Sequence, residues 1–224
     1  NNVEALLTEG KQVAPTFRRR LEASTTDVDG VEVQGTRVKD RPGLEAKIAQ
    51  GRPAQTVSDY VGGRLEVRDR EALQAARERI GREFGEVMAE DFLSNPRSGY
   101  RAVHQQVALG NGMTAEVQLV PAPIARVQDE AHKIYDKWKR KTGDLGPQEI
   151  RERDADMARM QAMFDEAWAE FEGRSQQSQS SEPAPSQPIR TAEIERDTAV
   201  TPAGREVPVR YAIVEAGDLT ASQT

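Results

Sequence analysis

Apolar residues recur at helical spacing in several stretches of the chain. Residues 3–23 carry them every three or four positions, which predicts a first helix. Asp69 can cap a second helix that runs to about Gly85. Residues 124–141 predict a third helix, and Pro147 can open a fourth that ends near Gly173.

Alternating patterns predict strands between these helices. Residues 57–68 are rich in β-branched residues, and residues 100–109 and 113–120 flank Gly110-Asn111-Gly112, a strong hairpin signal. The order of helix, strand, helix, hairpin, helix, helix predicts an α+β fold. We expect helices to cover one face of a small, mostly antiparallel mixed sheet.

The C-terminal part differs in composition. Residues 175–188 contain only Ser, Gln, Glu, Pro and Ala, which cannot bury enough apolar surface to offset chain entropy. The sequence therefore predicts a domain over 1–173, a disordered linker over 174–190, and a truncated second module over 191–224. Within that module, "VPVRYAIV" predicts a strand with nothing to pair with.

Composition limits the possible functions. The net charge is −6 and the pI about 5.2, which disfavours a broad nucleic-acid surface but allows local basic patches. The sequence has no cysteine, which excludes disulfides and thiolate metal sites. No apolar run approaches the ~20 residues that span a bilayer, so we expect no membrane association and a cytoplasmic location.

Two acidic residues occupy predicted strands. Asp59 lies where Asp is disfavoured, and Glu116 shares a face with Gln118. Carboxylates from two strands can together hold Mg²⁺. The alternative is that Glu116 and Gln118 form the solvated face of an exposed hairpin.

Basic residues gather upstream of these acids. The segment "GTRVKDRPGLEAKI" contains Arg37, Lys39, Arg41 and Lys47, and Arg64 follows Asp59. Such a cluster beside paired acids suits a polyphosphate with a metal ion, although a charged loop would show the same pattern. The sequence has no Walker motif, no GxGxxG and no zinc-ligand spacing.

Tyr100 and His104 share a face if their segment is extended. A partly exposed Tyr offers a stacking platform for a base, and His104 can donate to a phosphate oxygen. Taken alone, a Tyr in this pattern is more often a core residue. His132 and Asp136 are four residues apart on a predicted helix and can pair along it.

The order of these motifs resembles the synthetase domain of the RelA/SpoT family. Arg-x-Lys precedes Lys47, then come Asp-x₄-Arg, Gly-Tyr-x₃-His, Glu-x-Gln and a helical His, over residues 3–140. That family makes (p)ppGpp, and related toxins pyrophosphorylate other acceptors. The resemblance implies an ATP-dependent pyrophosphokinase with Mg²⁺ as cofactor and ATP as donor.

The resemblance also implies roles for the matched residues. Arg37 would contact adenine, and Lys47 and Arg64 would contact phosphates. Asp59 and Glu116 would hold Mg²⁺, and Glu116 could also activate the attacking 3′-hydroxyl. Tyr100 would stack on the acceptor base, and His104 and Gln118 would complete the pocket. Lys39 and Arg97 belong to the nucleotide-binding motifs.

The sequence departs from the family pattern in the same region. Glu90 stands where the family usually carries Lys, and "PRSGY" is one residue shorter, with Arg97 for Lys and Ser98 for Asn. The family serine after Arg-x-Lys falls at Gly43. These differences are closer to toxin and mobile-element variants, and the segment after residue 200 loosely resembles a ParB-like module.

Two classes of function therefore remain. The first is a toxin or effector enzyme that transfers pyrophosphate from ATP to a 3′-hydroxyl of a nucleotide or of a tRNA 3′ end, delivered into a target cell or held in check by a cognate antitoxin or immunity protein. The second is a catalytically silent domain that binds nucleotide or a partner. A stripe of Lys133, Lys137 and Lys141 could track RNA phosphates, or could be a solvated helix face.

Overall fold

The structure is a computed structural model that describes residues 2–49, 57, 59–110, 112–141, 143–180, 196–200 and 206–210. The chain divides into two compact units, 1–180 and 181–224. Among the described residues, no helix has the length and apolar character needed to cross a membrane.

The first unit alternates helices and strands. Its elements are α1 (Asn2–Thr25), β1 (Val31–Val38), α2 (Arg41–Ala49), β2 (Val61–Val67), α3 (Arg70–Phe84), β3 (Glu86–Asp91), β4 (Val103–Ala108), β5 (Thr114–Pro121), α4 (Ala122–Lys139) and α5 (Pro147–Ser180). In the second unit, β6 (Arg196–Val200) pairs with β7 (Glu206–Arg210) in an antiparallel hairpin.

The strands of the first unit form one five-stranded sheet in the order β1-β2-β5-β4-β3. The β2–β5 pair is parallel and the other pairs are antiparallel, so the predicted α+β fold with a mostly antiparallel mixed sheet is confirmed.

One face of the sheet packs against α1 and α3. Alternate residues of β2, β4 and β5 are buried there. At Gly63, α1 comes so close to the sheet that an added Cβ would lie 2.5 Å from Leu21 Cδ1 and 3.3 Å from Phe17 Cε1. The predicted helical coverage of one face is confirmed, and the opposite face carries the polar residues.

Three elements of the first unit were not predicted from the sequence. β1 and α2 occupy the segment that was interpreted as a basic cluster or charged loop, and β3 follows α3 directly. β1 contains a register shift between Val33 and Gly35, which interrupts its alternation. β3 has exposed residues on both faces, so its sequence does not alternate between buried apolar and exposed polar residues.

Two predictions about the C-terminal part are corrected. The fourth helix continues past Gly173 to Ser180, so residues 174–180, which were assigned to the linker, are helical. Ser175 is buried there, and its hydroxyl accepts a hydrogen bond from the backbone N–H of Arg70 at 3.0 Å. The strand predicted to lack a partner includes β7, which pairs with β6. Residues 181–195 lie outside the described residues.

A tight turn leads into β4. Arg97 and Tyr100 exchange backbone hydrogen bonds of 3.2 and 2.9 Å across Ser98 and Gly99, whose φ angles are 49° and 84°. Both angles lie in the left-handed region that favours glycine. A Cβ on Gly99 would also lie 3.0 Å from Phe164 Cβ of α5. The turn therefore fixes the position of the Tyr100 backbone, just before β4.

The junction of β2 and α3 is held by a buried aspartate. Asp69 is 1% exposed and caps α3 as predicted, accepting from Ala72 N at 2.9 Å. It also accepts from Arg68 Nε at 2.9 Å and from Ser178 Oγ at 3.0 Å. Burial alone would raise the Asp69 pKa, but these hydrogen bonds outweigh it and hold the pKa below 3.8.

We expect Asp69→Ala to lower the free energy of unfolding by about 1–2 kcal/mol at neutral pH, because the cap of α3 is lost. Since the folded-state pKa is depressed, Asp69 stabilises the fold above its unfolded pKa, and this contribution disappears as the pH falls through the folded value. Urea unfolding from pH 7 to pH 3 should show the difference from wild type shrinking. Asp69→Asn, which keeps an N-cap acceptor, should cost less.

We expect Gly99→Ala to destabilise the first unit by about 1–2 kcal/mol, because alanine is disfavoured at positive φ and its methyl group would press on α5. Ser98→Gly is the matched control and should be nearly neutral, since it relieves positive φ but adds chain entropy. Thermal unfolding measures both. Equal stability of Gly99→Ala and wild type would contradict this account of the turn.

Candidate functional site

The face of the sheet opposite α1 and α3, here called the open face, collects the predicted site residues. The parallel register aligns Gly62 with Glu116 and Arg64 with Gln118. On one side of this pair His104 aligns with Gln118, and on the other Arg37 aligns with Gly62. Residues aligned across neighbouring strands point to the same face, so four strands, β1, β2, β5 and β4, converge on one site.

A chain of polar contacts crosses the open face. The Tyr100 hydroxyl lies 3.1 Å from His104 Nε2, and His104 Nδ1 lies 3.6 Å from Glu116 Oε2. Gln118 Nε2 donates to Glu116 Oε1 at 2.7 Å. Tyr100 precedes β4 instead of lying in the strand, so it meets His104 through the turn and not through strand alternation.

The protonation of this chain follows from its surroundings. Burial raises the pKa of the Tyr100 phenol, and the positive charge of Arg64 offsets this only in part, so the phenol keeps its proton at neutral pH. The Tyr100 hydroxyl can donate to His104 Nε2 in the tautomer that carries its proton on Nδ1, the nitrogen that faces Glu116. Burial opposes ionisation of Glu116, but His104 and Gln118 outweigh it and hold the pKa below 4.5.

Asp59 lies between two lysines at the entrance to β2. Lys39 Nζ is 3.0 Å and Lys47 Nζ is 3.2 Å from Asp59 Oδ2. Burial would raise the Asp59 pKa, but the two ammonium groups keep it below 3.8. Asp59 precedes β2, whereas the sequence pattern had placed it inside the predicted strand over residues 57–68.

Two arginines extend the positive region along the sheet. The Arg37 side chain covers Gly62, where an added Cβ would lie 3.6 Å from Arg37 Nε. Arg64 Nε is buried and has no hydrogen-bond partner among the described residues, and its Nη2 is 3.9 Å from Glu66. A buried donor left unpaired is costly, and a bound anion would remove that cost.

The two carboxylates fit a divalent cation of the Mg²⁺ type. Asp59 and Glu116 are close enough that the charge of Asp59 raises the Glu116 pKa, although other contacts outweigh it. Both are ionised at neutral pH, and Mg²⁺ is bound through one or two carboxylates with phosphate and water completing its shell. No cluster of three or more His, Asp or Glu side chains that could form an all-protein metal cage occurs in the part of the chain that the structure describes.

A cleft of about 540 Å³ lies beside the open face. The sheet side of the cleft is lined by Tyr100, His104, Gln118 and Arg97. Its second wall, which sequence reasoning missed, comes from the two C-terminal helices of the unit: Gln128, Ala131, His132, Tyr135, Met160 and Phe164. The spacing of positions 128, 131, 132 and 135 is that of one helix face and could have indicated this wall.

Arg97 stands at the rim of the cleft in contact with Glu90. Its Nη2 is 3.7 Å from Glu90 Oε1, and its guanidinium lies 4.5 Å from the Phe92 ring centroid. Glu90 aligns with His104 across the β3–β4 pair. The residue that departs from the family pattern therefore lies next to the site and pairs with one of its predicted cations.

The lysine stripe on α4 is partly neutralised. Lys137 pairs with Asp156 at 2.6 Å and Lys141 pairs with Glu149 at 2.5 Å, both acids belonging to α5. His132 Nε2 is 3.6 Å from Asp136, as its spacing suggested, while its ring also lines the cleft. Lys133 is exposed and forms no ion pair with the described residues.

No protein-family model matches the chain. No curated protein matches it either. Several solved structures do match the chain. The small alarmone synthetase 1 from Bacillus subtilis bound to its product pppGpp is 19% identical, covers 80% of this chain and 98% of its own, and has a TM-score of 0.61.

Two further structures share this fold. A GTP pyrophosphokinase family protein from Streptococcus pneumoniae is 20% identical over 81% of this chain and 98% of its own, with a TM-score of 0.56. The type VI effector Tas1, solved in complex with its immunity protein, is 15% identical over 74% of this chain and 96% of its own, with a TM-score of 0.55. The first unit of this chain therefore has the fold of a RelA/SpoT-like synthetase domain.

Proposed function

We propose that the first unit transfers pyrophosphate from ATP to a 3′-hydroxyl of a nucleotide. The observation that carries this proposal is the ionised Glu116, joined to His104 and Tyr100 on the same sheet face as a cluster of cations around Asp59. Pyrophosphate transfer needs positioning and charge stabilisation more than covalent help from the protein, and this face supplies both.

The donor side is the region of Arg37, Lys39, Lys47 and Arg64. Their side chains surround Asp59 or extend from it along the sheet, and the unpaired Arg64 Nε offers a hydrogen bond to a phosphate oxygen. Lys39 and Lys47 can exchange part of their contact with Asp59 for the ATP phosphates. We assign adenine contact to Arg37.

The acceptor side is the cleft beside Tyr100. Tyr100 would pack against the base, and Gln118 and His104 would hold the Glu116 carboxylate in place. In the reaction the acceptor 3′-oxygen attacks the β-phosphorus of ATP, the bond to the α-phosphate oxygen breaks, and AMP leaves. Glu116 accepts the hydroxyl proton, a role that needs the ionised form favoured by its lowered pKa.

Asp59 and Glu116 are the residues that would hold Mg²⁺, and the ion would supply positive charge to the transferring phosphate oxygens. Glu116 would therefore serve both ion binding and proton acceptance.

A toxin role is supported by the likeness to Tas1, which was solved with its immunity protein. In that role the chain would have a cognate immunity protein or antitoxin as its partner and would act inside a bacterial cell. The activity itself is tested with radiolabelled ATP offered in turn with GDP, GTP, ADP, ATP and bulk tRNA, with the products resolved.

We expect Glu116→Gln to lower the rate of pyrophosphate transfer by about 10²–10⁴-fold, because it removes the base and one metal carboxylate while changing little volume. Asp59→Asn should have a similar effect and should also weaken the dependence of the rate on Mg²⁺ concentration. Circular dichroism and thermal unfolding check that both variants remain folded. Full activity in either folded variant would overturn the assignment.

We expect Lys133→Glu to leave transfer to a mononucleotide nearly unchanged and to give a shallow salt dependence, because Lys133 lies outside the cleft lining. If a tRNA 3′ end is the acceptor, the same change should weaken transfer, and the wild-type rate should fall steeply with salt. Lys133→Gln separates the loss of the positive charge from the introduction of a negative one.

A further inference from the structure

β3 is an edge strand of the five-stranded sheet. It pairs with β4 on one side, and none of the strands that the structure describes pairs with it on the other. Five of its six residues are exposed. An edge of this kind presents a row of backbone N–H and C=O groups that can pair with another strand.

The hydrogen bonds to β4 indicate which backbone groups of β3 point outward. Directly after the strand, the Phe92 N–H donates to the Ala102 carbonyl at 2.9 Å. In an antiparallel pair, residues that bond to the partner strand alternate with residues that do not. Glu90 therefore bonds to β4, and the N–H and C=O groups of Ala89 and Asp91 face the outer edge.

The side chains along this edge are apolar and acidic. Val87 and Met88 are 59% and 47% exposed, and they are two of the four large apolar side chains that are exposed among the described residues. The strand sequence, Glu-Val-Met-Ala-Glu-Asp, contains three acids and no base. A second copy of the strand would bring like charges together, whereas a basic strand would meet opposite charges.

Contacts within the chain leave this negative charge largely in place. The pairs Glu90–Arg97 and Glu86–Arg77 both measure 3.7 Å and lie at the surface, where such pairs are weak. Asp91 accepts from backbone N–H groups of the following turn and forms no ion pair with the described residues. The edge therefore remains attractive to a cation.

The opposite edge of the sheet lacks this combination. β1 carries Arg37 as well as Glu32, and its three valines are half-buried. Among the described strands of the first unit, an outward backbone edge, exposed apolar side chains and unbalanced negative charge coincide at β3.

We propose that the outer edge of β3 is a docking site for a partner protein, which adds an extended, basic segment to the sheet as a sixth strand. Backbone hydrogen bonds to Ala89 and Asp91 would hold the segment. Its basic side chains would meet the acids of β3, and its apolar side chains would cover Val87 and Met88.

The docked segment would lie close to the cleft. Glu90 aligns with His104 across the β3–β4 pair, so the added strand would run two strand spacings, about 10 Å, from the β4 backbone at His104. The body of the partner would then stand beside the cleft entrance. The docking itself does not depend on the proposed activity, because it uses the edge of the sheet and not the open face.

The test uses the full chain and a fluorescently labelled peptide of about eight residues, a typical strand length, in which lysine alternates with valine. Fluorescence anisotropy measures its affinity in the absence of nucleotide, so a failure here would leave the proposed activity untouched. The same peptide with glutamate in place of lysine should bind at least about tenfold more weakly, because it sets acids against acids.

Two changes separate strand addition from simple charge attraction. N-methylation of the central peptide residues keeps the side chains and their charge but removes backbone donors, and should weaken binding by about tenfold. In the protein, Ala89→Pro removes an outward N–H that β4 does not use, so the fold should persist while peptide binding falls by about tenfold. Ala89→Ser is the matched control, since it keeps the N–H, and should bind the peptide as wild type does.

Hydrogen exchange locates the bound peptide on the wild-type chain. Saturating peptide should slow exchange of the Ala89 and Asp91 amides by about tenfold or more, because these N–H groups become hydrogen-bonded. This measurement needs no variant, so it decides the location even if Ala89→Pro does not fold.

Equal affinity for the N-methylated and unmodified peptides would overturn the proposal, as would slowed exchange elsewhere with the β3 amides unchanged. Absence of binding by the basic peptide would overturn it too. A dimer of the chain that Ala89→Pro dissociates in sedimentation experiments would show that a second copy occupies the edge in place of a basic partner.

Discussion

The parallel pairing of β2 with β5 is the constraint on which the rest of the site depends. It aligns Gly62 with Glu116 and Arg64 with Gln118, so a carboxylate and a guanidinium from distant parts of the sequence share one face. A parallel pair requires a long crossover, and α3, β3 and β4 all lie between the two strands. The crossover also brings β4, and with it His104, to the other side of β5.

Two glycines of β2, Gly62 and Gly63, allow close packing on both faces of the sheet. Gly63 allows α1 to approach the buried face, where a larger residue would strike Leu21. Gly62 leaves room on the open face for the Arg37 side chain beside Glu116. The apolar core and the polar site are therefore separated by one strand, and residues on β2 alternate between them. Packing of α1 against the sheet thus indirectly fixes the position of the charged groups.

Ionised groups in the site are kept ionised against the effect of burial. Asp59 and Glu116 each lose solvent, yet the lysines on the first and the imidazole and amide on the second keep their pKa values low. The pKa of the Tyr100 phenol is instead raised, because the effect of burial dominates there, and the phenol keeps its proton at neutral pH. The site consequently holds one protonated phenol and two carboxylates at neutral pH beside the His104 ring, a combination suited to moving a proton beside phosphate groups.

The sequence by itself determined the elements whose signals are local. Helical periodicity identified α1, α3, α4 and the start of α5, and the two glycines of the hairpin fixed β4 and β5, because apolar spacing and turn chemistry act over a few residues. The order of motifs indicated most site residues. Only the tertiary structure decided the rest. β1 and β3 lack regular alternation, since one is bulged and the other is exposed on both faces. The pairs Glu90–Arg97 and Lys137–Asp156 join residues that no local pattern connects, because side-chain partners are chosen by the distances that the folded sheet and helices impose. The α4 face that walls the cleft has a local pattern, but only the fold places it opposite the sheet.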